Sequence, residues 1–314
     1  MIWLLGTGNM GNEYAKVLQG LEQEFIGVGR SEERAVQFGV KFNVPVRWGG
    51  IDKFLDENPI LPKCAIVAVD ADQLYFAVKT LLIYGVKKIL LEKPGALYKP
   101  QLLELEALAK KHNAQVLIGY NRRFYSATLK ALEIIAEDGG VSSFNFEFTE
   151  RNYIIEGISK KREIFETWMY GNSSHVIDLA FYLGGKPQQM KSFSSGKNQL
   201  SWHPHSSNYS GAGVSMSGAL FSYQANWAAP GRWSVEIITL KNRLIFKPME
   251  NLYCQKYGSM NIEQLELNNV LDIQYKPGLF LQVSSFLKED FKAFKTLGEQ
   301  AADFGLYGQI LDGN

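Results

Sequence analysis

The chain has 314 residues, 46% of them hydrophobic, which is enough for about two domains with sizeable cores. Its 33 lysine and arginine residues nearly balance 32 acidic residues, so the net charge of +1 indicates neither a nucleic acid nor an anionic membrane as partner. The two cysteines, Cys64 and Cys254, lie far apart and outside any zinc-type cluster, so no metal is expected. The apolar start is too short for a secretory signal and no window of about 20 residues is uninterruptedly apolar, which favours a cytoplasmic protein.

The first eleven residues combine a strand-like run at 2–5 with a GxGxxG pattern at Gly6, Gly8 and Gly11. At a turn from strand to helix, the first glycine permits the tight turn, the second lets the backbone approach a pyrophosphate, and the third lets helix and strand pack closely. The phosphate charge would rest on the helix N-terminus. The pattern alone also fits an ordinary tight turn. A second strand predicted at 24–29 completes a βαβ unit within about 30 residues and favours the dinucleotide site.

Strand-like and helix-like runs alternate through residue 121. The predicted strands lie near residues 2–5, 24–29, 64–70, 88–92 and 115–119. Runs such as CAIVAV and KKILL are continuously apolar, which is typical of strands in a parallel sheet with helices on both faces. A helix is predicted over 101–112, after Pro100.

After Arg122 the pattern changes to strands without intervening helices, which indicates a largely antiparallel sheet and an α+β domain. Strands are predicted near 141–150, 189–194, 213–227, 233–241 and 244–247, and helices over 124–137, 173–183 and 281–297. The serine- and asparagine-rich segment 196–210 is predicted as a loop.

The second strand ends in Gly29-Arg30-Ser31, where a dinucleotide fold contacts the adenosine ribose. Sites selective for NAD usually carry a carboxylate here, whereas an arginine accommodates a 2′-phosphate. Arg30 and Ser31 therefore favour NADP. In the alternative, Arg30 is a solvated surface residue and Glu32 or Glu33 turns inward.

The strand predicted at 88–92 leads into Glu92-Lys93-Pro94-Gly95 at the carboxyl edge of the sheet, where ligands bind. A lysine at this edge can exchange a proton with a substrate hydroxyl. A Lys-Pro pair at a strand end is more often a surface turn.

His175 and Asp178 are three residues apart, so they share a helix face. A histidine is a natural acid or base, and a neighbouring carboxylate would fix its tautomer. In the alternative, Asp178 is a surface charge and His175 a core residue.

Together these features resemble the Gfo/Idh/MocA oxidoreductase family, named for glucose-fructose oxidoreductase and inositol dehydrogenase. The motifs that carry the resemblance follow in order: GTGNMG at 6–11, EKPGAL at 92–97, GYNRRF at 119–124 and HVIDLAFYLGG at 175–185. The run at 227–246 is similar to the family's later strands, so the resemblance covers nearly the whole chain.

The resemblance implies a Rossmann domain with a doubly wound parallel sheet over residues 1–121, and an α+β domain over 122–314 whose open, mainly antiparallel sheet forms a homodimer or homotetramer. It implies that Lys93, with a cis bond to Pro94, contacts nicotinamide and substrate and transfers a proton, and that His175 is the second catalytic residue. Expected cofactor contacts are Gly6, Thr7, Gly8, Asn9, Met10, Gly11, Arg30, Ser31, Val69, Asp70, Glu92, Lys93 and Asn121. Expected substrate contacts are Lys93, Arg123, Trp168, Asn172 and His175.

Two positions depart from the family pattern. Many members carry an aspartate four residues before the histidine, where this chain has Gly171, so Lys93 and His175 would act alone or with Asn172, Trp168 or Tyr170. Where the family commonly shows Thr-Pro after the third strand, this chain has Asp-Ala-Asp at 70–72.

The leading hypothesis is an oxidoreductase that moves hydride between NADP or NAD and a hydroxyl or carbonyl carbon of a sugar-like substrate. Arg122, Arg123 and the loop at 202–205 are candidates for binding the remote part of the substrate. If Arg123 contacts it, a phosphorylated or nucleotide-linked sugar is plausible. A second hypothesis, motivated by Gly171, is a regulatory protein that binds the dinucleotide without turnover. A third keeps the enzyme class but exchanges the sugar for an imine, a biliverdin-like tetrapyrrole or a dihydrodiol.

Overall fold

A computed structural model describes residues 1–313 of the chain. The strands, in chain order, are β1 (Ile2–Leu5), β2 (Phe25–Gly29), β3 (Val46–Trp48), β4 (Cys64–Val67), β5 (Lys88–Glu92), β6 (Gln115–Gly119), β7 (Ser143–Glu147), β8 (Pro187–Ser195), β9 (Asn208–Ser215), β10 (Leu220–Asn226), β11 (Ser234–Ile238), β12 (Asn242–Phe246), β13 (Tyr253–Lys256), β14 (Glu263–Gln264) and β15 (Lys295–Thr296). The α-helices are α1 (Asn9–Gly20), α2 (Glu32–Phe42), α3 (Gly50–Asp56), α4 (Leu74–Tyr84), α5 (Lys99–Lys111), α6 (Ser126–Glu137), α7 (Asn152–Ile155), α8 (Arg162–Glu166), α9 (Ser174–Gly184), α10 (Val270–Gln274), α11 (Leu279–Leu287) and α12 (Leu297–Asp312). Short 3₁₀ turns cover Ala71–Gln73 and Asn121–Phe124, and a π-helical turn covers Met169–Ser173.

The first compact unit contains residues 1–121 and 271–303. Its seven-stranded sheet has the order β15-β6-β5-β4-β1-β2-β3 and is parallel except at β15, which pairs antiparallel with β6. All residues of β1 and β4 are buried, which explains their continuously apolar sequences. The order of β1 to β6 is that of a Rossmann fold, whose ligands bind beyond the carboxyl ends of the strands.

The second compact unit contains residues 122–270 and 304–313. Its eight-stranded sheet has the order β14-β13-β12-β11-β7-β10-β9-β8, and every pair is antiparallel except β7 with β10. One face is covered by α9, where Phe181 contacts Phe144 and Phe146 of β7 edge to face. The predicted fold class, a Rossmann domain with an α+β domain, is confirmed.

Three predictions of elements were wrong in detail. Residues 213–227 form a hairpin rather than one strand, because the chain reverses at Gly218, which has a φ of +86°. The hairpin strand β9 also shortens the predicted loop at 196–210. The helix predicted over 281–297 ends at Leu287, and the final helix is α12. Strand β3 was not predicted, because it has only three residues and two of them are exposed, so it lacks an apolar run.

The division between the units also differs from the expected break at residue 121. Residues 271–303 were expected in the second domain but pack with the first, where β15 extends the parallel sheet. Polar contacts fasten this segment, among them the 2.9 Å hydrogen bond from Asn121 Nδ2 to the Pro277 carbonyl and the 2.9 Å ion pair of Lys88 with Glu289. Local sequence patterns define elements but do not say on which sheet a late segment packs.

Across residues 1–313, helices that combine the length and apolarity needed to cross a membrane are absent.

Candidate active site

The GxGxxG turn joins β1 to α1, and its three glycines have distinct surroundings. A Cβ at Gly6 would lie 2.3 Å from the carbonyl oxygen of Ala68, and Gly6 has a φ of +110°. A Cβ at Gly11 would lie 1.9 Å from the carbonyl oxygen of Gly6. Gly8 precedes the helix, and a Cβ there would meet no atom within 4 Å. Two glycines are therefore required by packing, while Gly8 faces open space, as expected of a turn that admits a pyrophosphate.

The remaining residues of the turn lie around this opening. Thr7 packs against the end of β2, since a Cβ at Gly29 would come within 2.6 Å of its Oγ1. Asn9 is exposed and Met10 half-buried at the start of α1. The chain begins its helix at Asn9, directly after the turn, so the first backbone N–H groups of α1 lie at the opening.

Arg30 follows β2 and is exposed, with its Nη2 3.5 Å from a carboxylate oxygen of Asp70. This contact joins the ends of β2 and β4, where the adenosine half of a dinucleotide lies in this fold. The hydroxyl of Ser31 accepts the Arg34 N–H and so caps α2. Glu32 and Glu33 are exposed in the first turn of α2, so the structure does not favour the alternative in which one of them turns inward.

Glu92, the last residue of β5, is 7% exposed. Its carboxylate accepts a 2.7 Å hydrogen bond from the hydroxyl of Tyr14 on α1. Burial raises the pKa of Glu92, although Lys93, the Tyr14 hydroxyl and Lys276 act in the opposite direction. The same burial, together with the Glu92 carboxylate, raises the pKa of Tyr14. The pair ties the glycine-bearing helix to the strand that leads into Lys93.

Lys93 is half-buried in the turn after β5, and the cis Lys93-Pro94 peptide implied by the family resemblance is confirmed. A residue distant in sequence stabilises this turn. The side-chain amide of Gln300 donates 3.0 Å hydrogen bonds to the Pro94 carbonyl and to the Tyr120 hydroxyl. Val69 is half-buried after β4, and Asn121 is buried after β6. The sequence contained no local signal for Gln300, because its role depends on a contact across 206 residues.

His175 lies in the first turn of α9 and is 8% exposed. Its ring centre is 6.3 Å from that of Trp233, and the guanidinium of Arg122 lies 5.0 Å from the same tryptophan ring. Trp233 was not predicted as a site residue; the sequence placed it only at the start of the strand predicted at 233–241, and in the structure it directly precedes β11. His175, Arg122 and Trp233 form one cluster within the second unit.

Arg123 was expected to bind substrate, and in the structure its guanidinium forms a buried ion pair. Its guanidinium donates to both carboxylate oxygens of Asp178, at 2.8 and 2.7 Å, and the side chains are 9% and 2% exposed. The ring of Tyr182 lies 4.5 Å from the guanidinium carbon. Asp178 was expected to be either the partner of His175 or a surface charge. The structure shows that Asp178 forms a buried bidentate pair with Arg123, which fastens the 3₁₀ turn after β6 to α9.

The π-helical turn before α9 carries Gly171, at the position where the family pattern has an aspartate. A Cβ at Gly171 would meet no atom within 4 Å. Asn172 and Ser173 of the same turn donate their side-chain hydrogen bonds to Glu150, a buried residue that the sequence did not single out. Turns of this π type occur frequently at functional sites.

Trp168 begins this turn and stacks on Phe165 with ring centres 6.0 Å apart, and Trp202 lies 5.5 Å away. Trp202 and His203 belong to the loop proposed for the remote part of a substrate, and with Phe165 they line a groove of about 740 Å³. Burial lowers the pKa of His203 to about 4, and the Nδ1 of its ring lies 2.9 Å from the Phe165 carbonyl oxygen. The charged side chains of Glu156, Lys160, Arg162 and Glu166 line the same groove, so it combines aromatic rings with charges of both signs.

No cluster of three or more histidine, cysteine, aspartate or glutamate residues suited to a metal ion occurs in residues 1–313.

The fold and this arrangement define the class: a dinucleotide-binding Rossmann protein with an α+β second domain. Residues 2–120 match the sequence model of the Gfo/Idh/MocA family, described as an oxidoreductase family with an NAD-binding Rossmann fold. The match covers the first domain, so the resemblance found in the sequence is confirmed over residues 2–120. No curated protein matches the sequence closely enough to be compared.

Solved structures share the fold along nearly the whole chain. A candidate NADPH-dependent oxidoreductase from Desulfitobacterium hafniense is 16% identical with a TM-score of 0.80, over 99% of this chain and 94% of that one. Levoglucosan dehydrogenase in complex with NADH and levoglucosan is 17% identical with a TM-score of 0.78, over 98% and 95%. UDP-N-acetylglucosamine 3-dehydrogenase from Acidithiobacillus ferrooxidans is 14% identical with a TM-score of 0.72, over 99% and 96%.

Proposed function

We propose that the protein is an NAD(P)-dependent dehydrogenase or reductase that acts on a hydroxyl or carbonyl carbon of a sugar-like substrate. The observation that carries this proposal is the position of Lys93. It follows β5 at the same sheet edge as the glycine turn after β1, beside a glutamate buried against the glycine-bearing helix. A bound nicotinamide would supply the hydride chemistry. The sugar dehydrogenases among the structural neighbours support the choice of substrate class.

In this proposal the amine of Lys93 takes the proton of a substrate hydroxyl during oxidation and returns it during reduction. His175 holds the reacting oxygen or serves as the alternative acid or base. Asn172 and Trp168, on the turn that leads into the His175 helix, contact the remainder of the substrate.

We assign the preference for NADP over NAD to Arg30, whose exposed guanidinium would bind a 2′-phosphate in place of its 3.5 Å contact with Asp70. Replacing Arg30 by alanine should weaken NADPH binding by about 10- to 100-fold and leave NADH binding within about twofold. Titration of both nucleotides into wild type and variant measures this. NADH binding at least as tightly as NADPH to the wild type contradicts the preference.

The activity is tested with purified protein, NADH or NADPH and a panel of keto-sugars, and in reverse with sugars and the oxidised nucleotides, by absorbance at the nicotinamide band. Lys93→Ala should lower kcat at least about 100-fold, as expected for loss of an acid-base group. Lys99→Ala, at an exposed lysine six residues later, is the matched control and should keep wild-type rates. Equal rates for Lys93→Ala and wild type refute the assigned role.

A second candidate function is a regulatory protein of the same fold that binds the dinucleotide and catalyses nothing. The open space at Gly171 favours it, since no carboxylate stands there. Tight nucleotide binding with no turnover on any sugar of the panel supports this function and excludes the first.

We further propose that the chain forms a homodimer or homotetramer through the open face of the second sheet. Phe193 of β8 and Leu220 of β10 are 70% and 65% exposed on this face. Light scattering of the wild type and of Phe193→Glu tests the proposal. The variant should form a smaller assembly, with a lower molar mass in solution, and a monomeric wild type contradicts the proposal.

A further inference from the structure

Glu150 is a buried carboxylate for which the proposed mechanism has no use. It lies three residues beyond β7 and is 5% exposed. Its carboxylate accepts hydrogen bonds from the Asn172 Nδ2, at 3.1 and 2.9 Å to its two oxygens, and from the Ser173 Oγ, at 2.7 Å. Burying a carboxylate costs free energy unless it is hydrogen-bonded, so the hydrogen bonds from Asn172 and Ser173 stabilise Glu150 in this position.

Both donors belong to the π-helical turn that precedes the helix of His175. Two adjacent side chains, Asn172 and Ser173, reach the same carboxylate from this turn. Glu150 therefore fixes the conformation of the segment from which His175 projects.

The chemistry of Glu150 also decides the orientation of the Asn172 amide. An ionised carboxylate only accepts hydrogen bonds, so the amide must turn its NH₂ group toward Glu150. Its carbonyl oxygen, Oδ1, is then the group left for other partners. Within residues 1–313 no donor reaches this oxygen, and it is not among the buried polar atoms. At the adjacent Gly171, a Cβ would meet no atom within 4 Å.

We propose that Glu150 is a positioning residue that fixes Asn172 as a hydrogen-bond acceptor, so that the site takes a neutral hydroxyl group of the substrate at this point. The inference rests on the proposed function, because it treats Asn172 as a substrate contact. A hydroxyl donates to Oδ1, whereas an ionised phosphate or carboxylate offers only further acceptors. The substrate class is thereby narrowed to sugars that carry a free hydroxyl, rather than a phosphate, at the end bound by Asn172.

Glu150→Gln tests the proposal, since a glutamine side chain also donates and no longer dictates the Asn172 orientation. The second unit offers a matched control in Asp138, whose carboxylate is 5% exposed and accepts from the Thr239 hydroxyl at 2.6 Å and the Asn242 amide at 2.7 Å. Asp138→Asn removes a buried carboxylate with one hydroxyl and one amide donor, together with its 3.6 Å contact to Lys241 Nζ, so it has a cost to folding without touching Asn172.

Kinetics are measured with levoglucosan, glucose and glucose 6-phosphate as probes and oxidised nucleotide in excess. Glu150→Gln should raise the KM for the neutral sugar at least about tenfold while changing kcat less than about threefold, because it removes uniform substrate binding. Asp138→Asn should keep KM within about twofold. The wild type should use the neutral sugars in preference to the phosphate.

A reciprocal exchange separates positioning from folding. Asn172→Asp alone places two carboxylates together and should abolish sugar binding. Combined with Glu150→Gln, it lets the glutamine amide donate to the new carboxylate, which again presents an acceptor oxygen. The double variant should recover KM to within about threefold of the wild type.

A wild-type preference for glucose 6-phosphate, an unchanged KM in Glu150→Gln, or no recovery in the double variant overturns the inference while turnover itself upholds the proposed function. Nucleotide binding without turnover of any sugar instead defeats the proposed function, and the inference with it.

Discussion

Gln300 of α12 donates its side-chain amide to the carbonyl oxygen of Pro94, across 206 residues of chain. The same amide reaches the Tyr120 hydroxyl, and Gln300 is fully buried. The turn that presents Lys93 is thus held by a segment that follows residues 122–270 of the second unit in sequence.

Replacing Gln300 by leucine should leave the Pro94 carbonyl without its donor in a buried place. The expected loss is about 1–3 kcal/mol in the free energy of unfolding, measured with urea. Because the Lys93 turn loses its support, kcat should fall about tenfold, an effect of about 1.4 kcal/mol on the barrier. Gln309→Leu, at a half-buried glutamine of the same helix, is the control and should retain kcat. Full activity in Gln300→Leu contradicts a role for this contact in holding Lys93.

The three glycines of the first turn should respond differently to alanine. A Cβ at Gly8 would meet no atom within 4 Å, so Gly8→Ala should fold with wild-type stability. It should bind NADPH at least about tenfold more weakly, because the added methyl group would occupy the space through which the phosphates approach the backbone. Gly11→Ala would place its methyl 1.9 Å from the Gly6 carbonyl oxygen and should be destabilised by about 3 kcal/mol or more. Thermal unfolding and nucleotide titration give the two readouts. Wild-type affinity in Gly8→Ala would exclude this turn as the phosphate site.

Arg123 should matter for stability rather than for substrate affinity. Arg123→Met leaves the buried Asp178 carboxylate without its guanidinium partner and should cost about 3–5 kcal/mol. Replacing both, as Arg123→Met with Asp178→Leu, removes the stranded charge and should recover most of that loss. Urea unfolding of the single and double variants measures the coupling. If the double variant regains stability but has a higher KM than the wild type, Arg123 contributes to substrate binding and this prediction is contradicted.

His203 should make the protein sensitive to acid. Its pKa is lowered by burial from 6.5 to about 4, so the unfolded state takes up the proton first as the pH falls. The contribution of neutral His203 to the free energy of unfolding is complete above pH 6.5. It declines as the pH falls below 6.5 and is lost near pH 4, a total change of about 3 kcal/mol. His203→Gln should reduce the pH dependence of the unfolding free energy between pH 7 and pH 4 by about this amount. An identical pH dependence in wild type and variant would show that His203 does not titrate in this range.

The sequence was sufficient to predict what depends on neighbouring residues. Continuous apolar runs predicted the buried strands β1, β4, β5 and β6, because burial on both faces needs apolar residues at every position. The glycine spacing at 6–11 predicted the turn after β1, since that geometry depends on local backbone freedom. The Lys93-Pro94 pair likewise marked its own turn.

Contacts between distant segments were decided by the tertiary structure alone. Asp178 shares a helix face with His175, yet its carboxylate pairs with Arg123, which the fold delivers from the turn after β6. Gln300 contacts Pro94, and Glu150 contacts Asn172, but no periodicity in the sequence predicts either contact. Hydrogen bonds and ion pairs form between groups that are close in space rather than along the chain. The sequence therefore determined the elements and the dinucleotide-binding motif, and only the packing of those elements decided which polar side chains meet.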